Sequence, residues 1–261
     1  KVGMGLHAVI EQDPTLKAER DPEIRQTLLS GMGDQHLDVA VSRLRAKSKV
    51  EIELVRPKIR YRETVTKTAE GSYRHKKQTG GRGKFADITV IISPVDADFE
   101  TTPKNGGLQF ENEITGGDIP KEFIPSVEKG FRASMVSGVL AGYPIQTMKV
   151  ELIDGSFHAV DSDSLSFEIC ARTAYRGALR NAKPVLLEPI MSIEVLTPEQ
   201  YMGDIVGDLN RRRGQLEGMD QRAGSQVIKA KVPLGEMFGY VTQLRTMSSG
   251  SRFKISAVSL P

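Results

Sequence analysis

The sequence predicts an α+β chain of three α/β-sandwich modules, of which the first and third follow the ferredoxin-like order βαββαβ. Three observations carry this prediction. Stretches of helical periodicity and strand-like alternation follow one another along the 261 residues. The pattern starts anew at "RPKIRYRETV" and at "VLLEPIMSIEVLT", which divides the chain into blocks 1–55, 56–184 and 185–261. The last block shows the βαββαβ order complete, and the first shows it without its opening strand. The two blocks share element order only, since no sequence is repeated between them.

In the first block, "VGMGLHAVIEQD" places Leu6, Val9 and Ile10 at helical spacing. "TLKAERD" and "RQTLLSG" read as a hairpin joined through "DPE". Leu37, Val41 and Leu44 set the period of a second helix, and "KVEIELV" alternates like a half-buried strand. The second block opens with "RPKIRYRETV", where long basic side chains alternate with Ile59, Tyr61 and Val65. "GKFADITVIISPV", "LQFENEI" and "MKVELIDGSF" are its further strands. "KEFIPSVEKGFRASMVSG" and "SLSFEICARTAYRGALRNA" are its helices, the second capped by Asp163 or Ser164. In the third block the apolar strand "VLLEPIMSIEVLT" precedes the helix "EQYMGDIVGDLNRRRG", with Pro198 at its start. The strands "QLEGMDQR" and "SQVIKAKVP", the helix "LGEMFGYVTQLRTMSSG" and the strand "RFKISAVSL" complete it.

Composition sets limits on function. With 39% hydrophobic and 26% charged residues the chain has the balance of a globular protein, which excludes wholesale disorder. A net charge of +3 is too small to identify a nucleic-acid partner, so the placement of charge must decide. Cys170 is the only cysteine. That excludes an intramolecular disulfide and a cysteine-rich zinc site, and fits a core thiol in a reducing, cytoplasmic compartment. No apolar run approaches the ~18 residues of a membrane span. The start at Lys1, and the missing first strand, lead us to expect a piece of a longer protein.

The stretch "HKKQTGGRGKFADI", residues 75–88, gathers five basic or potentially basic side chains and three glycines. It fails as a phosphate loop. The spacing GxxxxGK[ST] is not met, because Phe85 stands where a magnesium-binding hydroxyl belongs. It also fails as GxGxxG, since Ala86 occupies the third position and a strand follows rather than a helix. Two readings stay open: a solvated basic hairpin, or an RNA contact. In the second, Gly80, Gly81 and Gly83 allow close backbone approach, and Lys76, Lys77, Arg82 and Lys84 meet phosphates. Phe85 or His75 would stack on a base.

The four histidines, His7, His36, His75 and His158, have no metal-binding spacing. His36 falls on an amphipathic helix. His158 lies in "DGSFHAVDSDS", a turn in which Asp161 and Asp163 read as turn former and helix cap. No GxSxG nucleophile motif occurs. In "NRRRG", Arg211, Arg212 and Arg213 suit a helix C-terminus with Gly214 as the residue after the cap, and equally offer a phosphate-binding edge.

Taken together, "GMGDQHLDVAVSRLR", "YRETV", "QTGGRGKFADI", "GSFHAVDSDSLSFEICA", "AKPVLLEPIMSIEV", "GDLNRRRGQLEG" and "VPLGEMFGYVTQLR" resemble elongation factor G, the ribosomal translocase. The resemblance runs in order along nearly the whole chain. It covers the family's domains III, IV and V, and implies that the middle module is related to the second domain of a small-subunit ribosomal protein. It also implies that the tip of that module enters the decoding region beside tRNA and mRNA. The tip loops correspond to Gln78, Thr79, Gly80, Gly81, Arg82, Gly83, Lys84 and Phe85, and to Phe157, His158 and Ala159. Arg211, Arg212 and Arg213 correspond to a helix end facing ribosomal RNA or protein.

The implied partners are the ribosome, tRNA and mRNA, without a membrane, for a monomeric protein. No enzyme activity and no cofactor are expected in this fragment; GTP and magnesium are expected in a missing N-terminal domain. A ribosome-recycling or ribosome-protection paralogue shares the architecture, although protection proteins carry different tip loops, and a stand-alone RNA-binding module is the alternative of another class. This chain departs from the family at Asp34 and Gln35, at Lys84 to Ala86, and in its last strand. Lys84 is expected to make the tip more basic.

Overall fold

The computed structural model describes residues 2–49, 51–78, 81, 83–222, 224–248 and 254–259. The two helical periods of the first block become α1 (Val2–Ile10) and α2 (Asp34–Ser48), which cross closely enough that a Cβ on Gly5 would come within 2.8 Å of Leu44. Between them the antiparallel hairpin β1 (Lys17–Asp21) and β2 (Gln26–Ser30) turns through Arg25 at φ 54°. Val9, Leu16, Ala40 and Leu44 form their small core. His36 is a connector: Nδ1 accepts from the Met32 amide at 3.0 Å, and Nε2 meets Asp13 at 2.8 Å. The strand expected over "KVEIELV" is not formed by its described residues. The Arg45 Nε donates to the Ile52 carbonyl at 2.9 Å, occupying an acceptor that a ladder would need. The ferredoxin-like order is therefore carried there by α1, β1, β2 and α2.

Residues 61–187 form one of the chain's two compact units. Its four-stranded sheet runs β4 (Ala69–Lys77), β5 (Lys84–Ser93), β7 (Met148–Ser156), β6 (Leu108–Asn112), with only the β6/β7 pair parallel. The strand β4, which apolar alternation does not mark, pairs with β5 from Ala69↔Ile92 to Lys77↔Lys84. Strict alternation buries Ala86, Ile88, Val90 and Ile92 of β5 against α3 (Ile124–Ser134) and α4 (Ser164–Asn181). At Gly71 of β4 a Cβ would fall 2.4 Å from that of Ala178, so the glycine sets how closely α4 lies on the sheet.

A small second sheet pairs β3 (Arg62–Val65) with β8 (Pro184–Leu187). Glu63 in β3 is fully buried, and its carboxylate accepts from the amides of Leu140, Ala141 and Tyr143 at 3.0, 2.8 and 3.1 Å. Those bonds satisfy a buried charge that would otherwise be costly, and they fix the loop after α3.

The second unit joins residues 1–60 with 188–261. The single strand expected over "VLLEPIMSIEVLT" is two. β8 ends at Leu187 in the middle unit, and β9 (Ile190–Thr197) begins after Glu188 and Pro189, a residue with no amide to give a ladder. β9 lies between β11 (Ser225–Pro233) and β12 (Lys254–Ser259), with β10 (Gln215–Arg222) outside β11, all antiparallel. Numbered within this block, the order is second, third, first, fourth, as a ferredoxin-like sheet requires. The helix α5 (Met202–Arg211) connects β9 to β10. The expected last helix is broken into α6 (Leu234–Met237) and α7 (Tyr240–Met247), because Phe238 is extended and Gly239 adopts φ 74°. Among the described residues no helix is long and apolar enough to cross a membrane.

Candidate nucleic-acid interface

The β4–β5 hairpin ends at the Lys77↔Lys84 pair, and the turn preceding α4 lies against that end. Gln78 and Gly81 are exposed in the hairpin tip; Thr79, Gly80 and Arg82 lie outside the described residues. From Gly83 onward the tip is tied to the turn. The Gly83 amide donates to Asp161 Oδ1 at 2.9 Å, and the Phe85 amide to the Asp161 carbonyl at 3.0 Å. Ser162 donates its hydroxyl to the Phe85 carbonyl at 2.8 Å and accepts from the His158 amide at 2.9 Å. A Cβ on Gly83 would come within 3.1 Å of the Asp161 carboxylate. The glycine thus serves a close approach inside the protein.

Asp163 closes the arrangement. It is the N-cap of α4, accepting from the Ser166 amide at 2.7 Å, and its other oxygen binds the Lys84 ammonium. Burial pushes its carboxyl up, but the Lys84 and Ser166 bonds outweigh that and bring it down to about 2. Lys84, expected to add basic character, therefore spends its charge on Asp163. Below the hairpin, Cys170 donates its thiol to the Tyr73 carbonyl at 2.9 Å, and burial pushes it up to about 12.

Lys76 and Lys77 are exposed at the end of the hairpin and have no hydrogen-bond or ion-pair partner among the described residues, so the described part of the tip offers two cations beside aromatic and polar groups. Phe157, His158 and Ala159 are all exposed, Phe157 at 42%. The rings of Phe85 and His158 lie 6.4 Å apart, tilted by 58°. His158 Nδ1 faces the Asp161 amide at 3.2 Å and the Asp161 carboxylate at 3.4 Å, which orients the exposed ring and leaves Nε2 without a hydrogen-bond partner among the described residues. Such a surface can stack on a base and donate to a phosphate, ribose or base edge.

Lys84 and Phe85 open the strand β5, so the glycine stretch is followed by a strand and not by the helix N-terminus of a phosphate loop.

The three arginines of "NRRRG" separate. Arg212 is half-buried: its Nε meets Asp208 at 2.8 Å, its guanidinium lies 4.9 Å above the Tyr240 ring, and another nitrogen binds the Glu236 carbonyl. Arg213 is bidentate to Glu188 at 2.7 and 3.0 Å. Arg211, 73% exposed with a single 3.3 Å contact to Asp208, is the least engaged of the three. The left-handed residue ending α5 is Arg213, at φ 59°, where Gly214 had been expected. The amides of Arg213 and Gly214 return to the carbonyls of Asn210 and Leu209 at 3.1 and 2.9 Å, the Schellman pattern. A Cβ on Gly214 would lie 2.7 Å from the Leu209 carbonyl, so the glycine is needed one position later, for contact.

Sequence reasoning treats Asp161 as a turn former and passes over Ser162. Their partners lie across the sheet, 78 and 77 residues away, and no local signal announces such a pair.

The model of elongation factor G domain IV matches residues 57–183, that of domain III residues 1–56, and that of the elongation factor G C-terminus residues 185–253. An elongation factor G from Cytophaga hutchinsonii is 54% identical over 250 residues, which are 96% of this chain and 35% of that protein. One from Amoebophilus asiaticus is 51% identical over 250 residues, with 96% and 34% covered. A crystal structure of a Thermus thermophilus protein superposes on 100% of this chain and 38% of its own, with TM-score 0.84 and 38% identity. The chain thus spans about a third of the length of these relatives. It belongs to the elongation factor G family, in the part of that family made of domains III, IV and the C-terminus.

Proposed function

We propose that these residues are the ribosome-binding part of an elongation factor G that promotes GTP-dependent movement of tRNA and mRNA in the cytoplasm, with the tip of the middle unit acting at the decoding region. The joined pair of tip loops is the observation that carries the reading. Four hydrogen bonds or ion pairs through Asp161, Ser162 and Asp163 hold Gly83 to Phe85 against the His158 turn. Residues held in this way, Gly83 to Phe85 and the His158 turn, lose little conformational freedom on meeting RNA. It can favour the moved state of tRNA and mRNA only through contacts that differ between the two states. GTP and magnesium would be held by other parts of the longer protein, where the bond-breaking chemistry would also reside.

The test is made in a full-length factor that contains these residues. Replacing His158 by Ala removes the exposed ring and its free nitrogen, and is expected to slow tRNA–mRNA movement about tenfold, with ribosome-stimulated GTP hydrolysis close to unchanged. Equal loss of both activities would refute a role at the decoding end.

A further inference from the structure

Helix α4 carries a second candidate surface that neither the tip nor the family comparison accounts for. Its 18 residues, SLSFEICARTAYRGALRN, contain one carboxylate, Glu168, and three arginines at positions 172, 176 and 180. The spacing of four places all three on one face, each about 6 Å from the next along the axis. The opposite face is committed to the core through Phe167, Cys170, Ala174, Tyr175 and Ala178, so the arginine face must point outward. All three arginines are exposed, and they border a groove of about 430 Å³ between α4 and the loop after α3.

Charge on this face is largely uncompensated. Glu168 is contacted by Arg172 and also by Lys129 at 2.9 Å, so one carboxylate is divided between two cations. Arg176 and Arg180 have no hydrogen-bond or ion-pair partner among the described residues. A helix stripe of solvated charge usually alternates in sign, which adds support through pairs four residues apart. Here Arg172 is supported by Glu168 and Arg180 by its place in the last turn of the helix, but Arg176 has neither support and is repelled by both neighbours at that spacing. A polyanion with charges repeating along its length would relieve the repulsion. The guanidinium fork suits phosphate oxygens in bidentate geometry.

We infer that Arg172, Arg176 and Arg180 form an RNA phosphate-binding edge, distinct from the tip, that lets one helix hold an RNA strand while its N-terminal end positions the tip. From Asp163 to Arg180 is about 26 Å along the helix axis, so the two contacts belong to separate RNA segments or to successive parts of one strand. The inference rests on the ribosomal reading for the identity of the RNA, while the edge itself is defined by its chemistry.

The experiment compares the 261-residue chain with its Arg176→Gln/Arg180→Gln and Arg176→Lys/Arg180→Lys variants. Both altered side chains are exposed and unpaired, so each variant should melt within ~2 °C of the parent. Fluorescence anisotropy with a fluorescein-labelled RNA hairpin of about 24 nucleotides is read from about 50 to 200 mM KCl. The Gln pair should bind about tenfold more weakly at about 100 mM, with a slope of log K against log[KCl] shallower by about 1.4–1.8. The Lys pair should retain the slope. An unchanged slope in the Gln pair overturns the inference, as does a loss of binding to an acidic poly-glutamate peptide with RNA binding intact. Small-subunit binding separates the two readings. If the parent binds the hairpin with the expected Arg dependence but no ribosomal subunit, the edge stands and the ribosomal function falls.

Discussion

Asp163 is where the fold and the candidate tip can be tested together, because its two oxygens have different tasks. One caps α4 through the Ser166 amide, and the other holds Lys84 at the end of the hairpin. Asn keeps a capping oxygen and loses the charge; Ala loses both. Holding the carboxyl at about 2 instead of 3.8 corresponds to about 2 kcal/mol of preference for the ionised form. With the Lys84 and Asp163 side chains 41% and 30% exposed, solvent screening reduces that to about 1 kcal/mol. Asp163→Asn should therefore cost about 1 kcal/mol at pH 7. Asp163→Ala should cost about 1 kcal/mol more, the usual loss on removing an N-cap.

The sign of the pH effect follows from the lowered value. A carboxyl held lower in the folded state stabilises it fully above the unfolded value of 3.8, and the contribution disappears as pH falls toward about 2. The difference between parent and Asn variant, measured by urea unfolding, should be constant from about pH 7 to 5 and about halved at pH 3. Lys84→Gln combined with Asp163→Asn should cost little more than either change alone. A gap that stays constant down to about pH 3, or an Asn variant as unstable as Ala, would refute the assignment of two roles to this side chain.

The arginines after α5 should divide by function. Arg212→Ala should cost about 2–3 kcal/mol in urea unfolding, since it strips the principal cation from Asp208, whose side chain is only 6% exposed. Arg211→Ala should change stability by less than about 0.5 kcal/mol and act instead on the salt dependence of ribosome binding. Cys170, buried and pushed up to about 12, should resist iodoacetamide at about pH 8 in the native chain and react at once in concentrated urea, as read by mass spectrometry.

The fold was legible wherever a period dictated burial. The β5 alternation put Ala86, Ile88, Val90 and Ile92 inward, and the α4 period did the same for Phe167, Cys170 and Ala174. Failures of the same rule have local causes. "KVEIELV" alternates correctly for a strand, yet a strand needs a partner edge, and Arg45 takes the Ile52 carbonyl instead. "LGEMFGYVTQLRTMSSG" has helical period throughout, but Gly239 adopts a left-handed conformation that divides it. β4 escaped notice because Gly71 and the charged run 74–77 break its apolar alternation. Its place is settled by contact with α4 across the Gly71 gap, a tertiary fact.

The candidate site was less legible because a sequence displays charges without their partners. A net charge of +3 over 261 residues does not say where unpaired cations lie. Counting basic residues gave the hairpin tip and "NRRRG" as the places where phosphate would be met. In the structure Lys84 is bound to Asp163, Arg212 to Asp208 and Arg213 to Glu188. In the sequence the arginines at 172, 176 and 180 form no run, because residues that the core requires separate them. Only placement on α4 reveals that two of them lack any counter-ion among the described residues. The free energy available for gripping a polyanion depends on cations not already paired, since a guanidinium in a salt bridge must surrender one partner to gain another. By that criterion Arg176 and Arg180 on the flank of α4 and Lys76 and Lys77 at the end of the hairpin are available for phosphate, and the tip adds the exposed rings of Phe157 and His158.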